Sequence, residues 1–400
     1  MNDSRPLLIL RTERTGARFV YDALGATQAT LRMVPADASL EQLHTHAEAI
    51  AAWKNEHPHG GVASLGDIPS LAHALAGQRE PSVTGAGLRA TLACLDKAWC
   101  RQRVTHDLGQ LKTTVLRTGD DHVPRPGGPT PLGVMVKPIG GCASIGIVHT
   151  QPGEPAPPIA APSGPIDALC RAYLGENEAG VVAVVEEYVS PDVPRVSVDG
   201  WVNGDGQPIP FAVSDNIYID GEPERFDHQM LPTRLSAAAE AACWTLYRAV
   251  VERLAADYDL RDQFCDVEMF VFDADTDAPR AEVMEVNCRV HPNISPIFRR
   301  CLDGGDVLGA HLTPPQAAPT RRDLAGGLFY LWSAPGDDAG RPDPDAVARL
   351  EAENDVLACV FDDAGPKSNG WTCWGWLYVF ADSADGVRAL GERARTALMG

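Results

Sequence analysis

Between Cys265 and Asn293 the chain reads CDVEMFVFDADTDAPRAEVMEVNCRVHPN, and its charged residues recur with a period of two. That period belongs to a strand, whose successive side chains leave opposite faces. Asp266, Glu268, Phe270 and Phe272 share one face of the first run, with Val267, Met269 and Val271 on the other. In the second run Met284, Val286, Cys288 and Val290 form the apolar face, and Glu285, Asn287 and Arg289 the polar one. The turn-rich DADTDAP segment between them predicts a hairpin that sets Glu268 across from Glu285. Two facing carboxylates repel unless something positive lies between them. Two carboxylates and an amide oxygen are hard donors of the kind Mg2+ takes, with substrate phosphates completing its shell. Arg289, on the same face, is placed to receive an anionic oxygen. Asp266 competes with Glu268 as a ligand in the first strand, and the same spacing also suits a polar hairpin face in solvent.

Phosphate chemistry needs further cations and donors, and three upstream stretches offer them. Lys137 stands at the entrance to IGGCASIG, where Gly140, Gly141 and Gly146 with Ser144 make a flexible turn able to lay backbone N–H groups over phosphates. A hairpin tip fits that pattern too. The strand VVAVVEEYVS ends in Glu186, Glu187, Tyr188 and Val189, where free backbone groups can meet the edge of a purine, or simply end a strand. A helix starting at Gly87 carries Asp96 and Lys97. Asp199 opens a hairpin that turns at Asn203–Gly206, and the segment YIDGEPERFDHQMLPTRLS reads as a polar, irregular loop offering Arg225, His228 and Arg234 to a substrate.

The remaining chain supplies the scaffold. Its 400 residues, 44% of them hydrophobic, can bury more than one core. A net charge of −20 argues against nucleic acid or an anionic membrane as a partner, so any phosphate site rests on a few placed cations. No apolar run approaches a membrane span and the N-terminus lacks the pattern of a secretory signal, which points to the cytoplasm. The ten cysteines show no CxxC pair and read as buried free thiols, with Cys142 filling the glycine-rich turn. Residues 1–90 have the grammar of a doubly wound α/β unit without a GxGxxG, residues 91–190 hold the glycine turn and the strand end, and residues 191–400 hold the metal hairpin and a folded C-terminal part. TQPGEPAPPIAAPSGP, residues 150–165, reads as an extended insertion with no claim to a core.

Asp96-Lys97, VKPIGGCASIG, VEEYV, DVEMF and VMEVNCR occur in one order, and in that order they resemble the ATP-grasp superfamily from about Gly87 to Arg289. VSVDGWV followed by RFDHQMLPTRLS is most similar to its carboxylate–amine ligases of the amino-acid or dipeptide type. The resemblance implies an α/β (α+β) ATP-grasp fold that binds ATP with Mg2+, or Mn2+ in its place. It implies that Lys97 and Lys137 hold phosphates under a lid containing Gly141, Ser144 and Gly146, and that Glu186, Glu187, Tyr188 and Val189 bracket adenine. Glu268, Glu285 and Asn287 would bind the metal, and Arg289 would stabilise charge on an acyl phosphate. Its partners would be a small carboxylate and an amine, with a homodimer left open. The motif departs from many amino-acid ligases after Arg289, where ValHisProAsn replaces glycines, so His291 and Asn293 join Asp199, Arg225 and His228 as candidate substrate contacts. An ATP-grasp ligase acting on a peptide or specialised metabolite and a nucleotide-binding regulator without turnover are the alternative readings.

Overall fold

The structure, a computed structural model, describes residues 5–12, 29–85, 87–140, 146–160, 164–175, 178–219, 222–289, 291, 293–336, 340–353, 355–361 and 371–399. Strands β1 (Leu7–Arg11), β2 (Ala29–Met33) and β3 (Gly61–Leu65) form a parallel sheet in the order β2-β1-β3. Parallel strands need a crossover connection, and the helix Leu40–Glu56 provides it from β2 to β3 on the two sides of β1. Ser39 starts that helix with a reciprocal capping box, Ser39 and Gln42 each binding the other's backbone N–H. The helix Asp67–Arg79 follows β3 after one glycine and is buried from Ile68 to Ala76, which fixes Asp67 at its first turn.

The helix expected to run on from Gly87 instead stops at Leu95. Asp96 is extended there, and its carboxylate caps the next turn by accepting from Trp99 N–H at 2.9 Å. Lys97 N–H donates to Ile139 O at 3.1 Å and Asp96 bridges Gly140, so the break docks against the start of the glycine-rich turn. Beyond it, Cys100–Val104 forms one wide π-helical turn.

Strands β4 (Thr113–Arg117), β5 (Val134–Pro138), β6 (Val148–Thr150) and β7 (Val181–Glu187) make an antiparallel sheet in the order β4-β7-β5-β6. The proline-rich stretch is not detached from it, contrary to expectation. Ala156 N–H reaches Asp121 O, and Ala156 and Ile159 pack on the cluster around Leu116, Val123 and Val134.

The third sheet is antiparallel throughout: β8 (Arg195–Val202), β9 (Pro208–Ile219), β10 (Glu222–Leu231), β11 (Gln263–Phe272) and β12 (Arg280–Asn287) are joined, after the short ribbon of β13 (Leu302–Asp303) and β14 (Thr320–Arg321), by β15 (Ala325–Ser333), β16 (Val356–Val360) and β17 (Thr372–Ala381). Its order is β12-β11-β8-β9-β10-β15-β17-β16. One face packs Val196, Val198, Val267, Met269, Val283 and Val286 against the helix Ala237–Tyr258. The segment expected to be an irregular loop is β10, an interior strand. Its buried face is polar and continues across its neighbours: Gln229 Nε2 donates to Ser214 Oγ of β9, and Asn216 Nδ2 of β9 to Ser197 Oγ of β8, both at 2.9 Å, and this polar face hides the hydrophobic period. All nine cysteines among the described residues are buried free thiols. Among the described residues no helix is long and apolar enough to cross a membrane.

Candidate active site

The polar face of the large sheet collects the acids. Strands β11 and β12 pair with Glu268 opposite Glu285 and Asp266 opposite Asn287, the register the alternation predicts. Strand β8 adds Asp199 opposite Asp266. One detail of the second strand differs. Met269 pairs with Val283, so Met284 is the extra residue of a β-bulge and the inward parity changes there. Val283, Val286 and Cys288 face the helix, whereas Met284 joins Leu111, Val189 and Phe270 beside the end of β7.

A bulge breaks ladder pairing, and here a buried arginine takes up its carbonyls. Arg101, from the π-helical turn, donates through Nη1 to Val283 O at 2.9 Å and through Nη2 to Met284 O at 2.6 Å. Its Nε donates to Glu186 Oε1 at 2.6 Å, and Glu186 Oε2 lies 2.7 Å from Lys137 Nζ. Burial alone would push the Glu186 carboxyl up, but Arg101 and Lys137 outweigh it and hold it down at about 2. Sequence reasoning missed Arg101, because a charged residue in a helical run reads as solvent-facing.

That network changes the reading of the strand end. Glu186 turns its carboxylate inward to two cations, and the N–H groups of Glu187 and Tyr188 donate to Lys112 O and Gly133 O. A purine edge would meet other groups of the hinge. The Tyr188 ring stacks on His149 with centroids 4.2 Å apart, and Val189 packs against Leu111 and Phe270. Gly146 has φ +78°, a left-handed conformation suited to glycine. Gly141, Cys142 and Ser144 lie outside the described residues.

Lys97 Nζ lies 3.1 Å from Glu285 Oε1, so both expected phosphate lysines are anchored on acids of this region. Burial raises the Glu285 carboxyl, but Lys97 and Lys137 prevail and lower it. Glu268 is buried beside Asp266 and Glu285, and burial and those charges push it well above the carboxylate range. Burial likewise pushes Asp266 well up, with Asp199 adding to the effect, and raises Asp199 to about 7 against the pull of the His291 backbone and Arg289. Neither Asp199 oxygen has a well-directed hydrogen bond among the described residues. Arg289 Nε donates to Asp67 Oδ1 at 2.6 Å and Nη2 to Asn287 Oδ1 at 3.3 Å, so the N-terminal layer helps to aim it. Asp67 was not legible as a site residue, being 222 residues from its partner. Burial and the adjacent Arg289 hold His291 down at about 3, neutral at physiological pH.

The other substrate candidates divide. Asn293 hydrogen-bonds with Tyr330, and Arg225 lies 4.9 Å above the Trp332 ring and 4.6 Å above Trp371. His228 belongs elsewhere: it stacks on Phe329, centroids 4.7 Å apart, within the core under the C-terminal helix, and its Nδ1 meets Asp227. It corrects the expectation of a substrate contact, the cause being register irregularities between Glu222 and His228 that place it on the opposite face.

Among the described residues no three His, Cys, Asp or Glu side chains converge as a metal cluster. A divalent ion would have the carboxylates of Glu268 and Glu285 and the amide of Asn287, and its charge would relieve the repulsion that pushes Glu268 up. The donors fit a hard, partly substrate-coordinated ion.

No protein-family model and no curated protein matches the sequence. Solved structures do match in three dimensions. An L-amino acid ligase from Bacillus licheniformis superposes with a TM-score of 0.68 at 15% identity, over 99% of this chain and 98% of its own. A carboxyaminoimidazole ribonucleotide synthase from Aspergillus clavatus, complexed with ATP, gives 0.67 at 13% identity over 99% of both chains. A complex of biotin carboxylase with beta-gamma-ATP from Campylobacter jejuni gives 0.61 at 12% identity, over 100% of this chain and 92% of its own. The chain has the ATP-grasp fold.

Proposed function

We propose that this protein is an ATP-dependent carboxylate–amine ligase that activates a small carboxylic acid as its acyl phosphate and joins it to an amine, an amino acid in at least one of the two roles. The observation that carries this reading is the in-register pair Glu268 and Glu285, with Lys97 on the second glutamate and Arg289 on the same face. The likeness to an amino acid ligase supports the substrate class, while the equally close likeness to a ribonucleotide synthase shows that fold alone does not choose it.

A carboxylate is a poor electrophile because its leaving group would be oxide. Transfer of the γ-phosphoryl group of ATP to that oxygen makes it a leaving group. The amine then attacks the acyl carbon, phosphate departs with the bonding pair, and the amine loses a proton. Carboxylate, γ-phosphate and ADP are all anionic, so the protein's work is to hold them in line. Lys97 and Lys137 hold phosphate oxygens, and Arg289, aimed by Asp67, holds the oxygens of the acyl phosphate. Glu268, Glu285 and Asn287 would hold Mg2+, which supplies charge neutralisation across the phosphates when bound.

The test is ADP and phosphate release with Mg-ATP against single and paired amino acids and small carboxylic acids, with mass spectrometry on positive wells. Release that needs two substrates and yields their summed mass less water is expected. ATP binding with no release across pairs would overturn the ligase reading in favour of a regulator.

A further inference from the structure

Across the sheet, away from Lys97 and Lys137, the polar face gives way to an aromatic one. The rings of Tyr218 on β9 and Phe226 on β10 stack with centroids 4.5 Å apart. Phe226 lies 6.3 Å from Tyr330 on β15 and the same distance from His291, which follows Arg289 by two residues. Tyr330 and Trp332 stack at 5.9 Å. All five rings keep partial exposure, unlike the core aromatics Trp201, Phe264 and Phe298, so the patch opens beside the reacting groups instead of closing into the interior. Arg195 lies over both the Tyr218 and the Phe270 rings, and Phe270 follows Glu268 by two residues on β11, which places the wall next to the acids.

The wall is held in place. Trp332 Nε1 donates to Phe226 O at 2.7 Å, the Tyr330 hydroxyl meets Asn293, and the Arg225 guanidinium lies over Trp332 and Trp371. Arg195 sits 4.3 Å over Tyr218. With the indole N–H and the phenol so engaged, the wall offers ring faces and edges to a ligand, and such surfaces favour another aromatic ring in offset or edge-on contact.

Resting on the ligase reading, we propose that the activated acid bears an aromatic ring that lies against Tyr218, Phe226 and Tyr330, with its carboxylate at Arg289 beside His291. An aromatic amino acid and an arylalkanoic acid share this chemistry, and the experiment separates them.

Initial rates of ADP release are measured with phenylalanine, 3-phenylpropionate, alanine and glutamate as the acid, each with a common amine panel, on wild type and on Phe226→Leu and Tyr330→Leu. Binding of the same acids is titrated calorimetrically with Mg2+ and a non-hydrolysable ATP analogue, so that recognition is read without turnover. The aryl acids should exceed alanine by about tenfold or more in kcat/KM, chiefly through KM, and each leucine variant should erase most of that preference. KM for ATP in the variants should stay within about twofold of wild type, which separates ring recognition from misfolding. A preference for phenylalanine over 3-phenylpropionate assigns the amino acid, and the reverse assigns the simple acid; either supports the proposal. Equal turnover of alanine and the aryl acids overturns it and leaves the ligase reading standing. Saturable binding of the aryl acid that the leucine variants weaken, with no ADP released from any pair, overturns the ligase reading and with it the activated acid, leaving a ring-binding site without turnover. Absence of both binding and turnover overturns both.

Discussion

Replacing Arg101 with methionine keeps the length and apolar stem of the side chain but deletes a buried guanidinium that holds one carboxylate and two bulge carbonyls. Removing one partner of a buried pair costs about 3–5 kcal/mol. Lys137 stays 2.7 Å from Glu186, which favours the lower end of that range. The two carbonyls lose their donors together, and at about 1 kcal/mol each the total reaches about 5 kcal/mol. At about 2–4 °C per kcal/mol, the melting temperature should fall by about 10 °C or more.

Thermal unfolding by circular dichroism on Arg101→Met, Arg101→Lys, Glu186→Gln and the Arg101/Glu186 double variant tests this. Lysine keeps the charge without the planar fork and should recover only part of the loss. The double variant should be less destabilised than the sum of the singles by more than about 1 kcal/mol, since the neutral partner no longer strands a buried charge. Because the bulge sets where Glu285 lies, Arg101→Met should also raise the Mg2+ concentration needed for turnover. A methionine variant that melts within about 2 °C of wild type would refute the assignment of Arg101 as the tie between β7 and β12.

Arg289→Ala should cut kcat for ADP release by about a hundredfold or more while circular dichroism stays that of wild type, and Asp67→Asn should lower kcat by a smaller factor; unchanged rates in both would remove the arginine from the reaction. Chelation with EDTA should stop release and Mg2+ or Mn2+ restore it, with Glu285→Gln demanding more metal for the same rate. Asp199 is raised in the folded state to about 7, so its contribution to stability is complete below the unfolded value of 3.8 and is lost as pH rises through about 7. Asp199→Asn should therefore melt higher than wild type by a margin that grows from pH 5 to pH 8, and a constant margin would contradict the shift. Glu186 is depressed to about 2 from 4.5, so its contribution is present above 4.5 and fades as pH falls towards 2; Glu186→Gln should flatten that acid limb.

The hairpin of β11 and β12 was legible because its two strands alternate cleanly and one face must be buried, which fixes the register. Met284 was assigned to the wrong face because a bulge shifts parity without leaving a mark in the composition. Strand β10 passed for a loop because Gln229 is buried against Ser214 of β9 inside the sheet, where a pattern reader expects apolar residues. Arg101 and Asp67 escaped for a different reason: each matters through a partner distant in sequence, and no local period encodes such a meeting. The helix through Asp96 was drawn too long because the residue that breaks it also caps the next turn.

The ion pair between Arg289 and Asp67 joins residues 222 positions apart, and that separation bears on how the molecule comes into being. Long-range closures are slow steps in folding because the intervening chain must be ordered before the contact returns anything. On the ribosome, β3 and the helix behind it emerge early, yet the arginine that needs them is synthesised only after the four-stranded sheet and most of the large one. Until then Asp67 has no Arg289 to meet. The N-terminal layer is thus a template laid down first and used last, and a chain cut anywhere between Asp67 and Arg289 yields no fragment holding both.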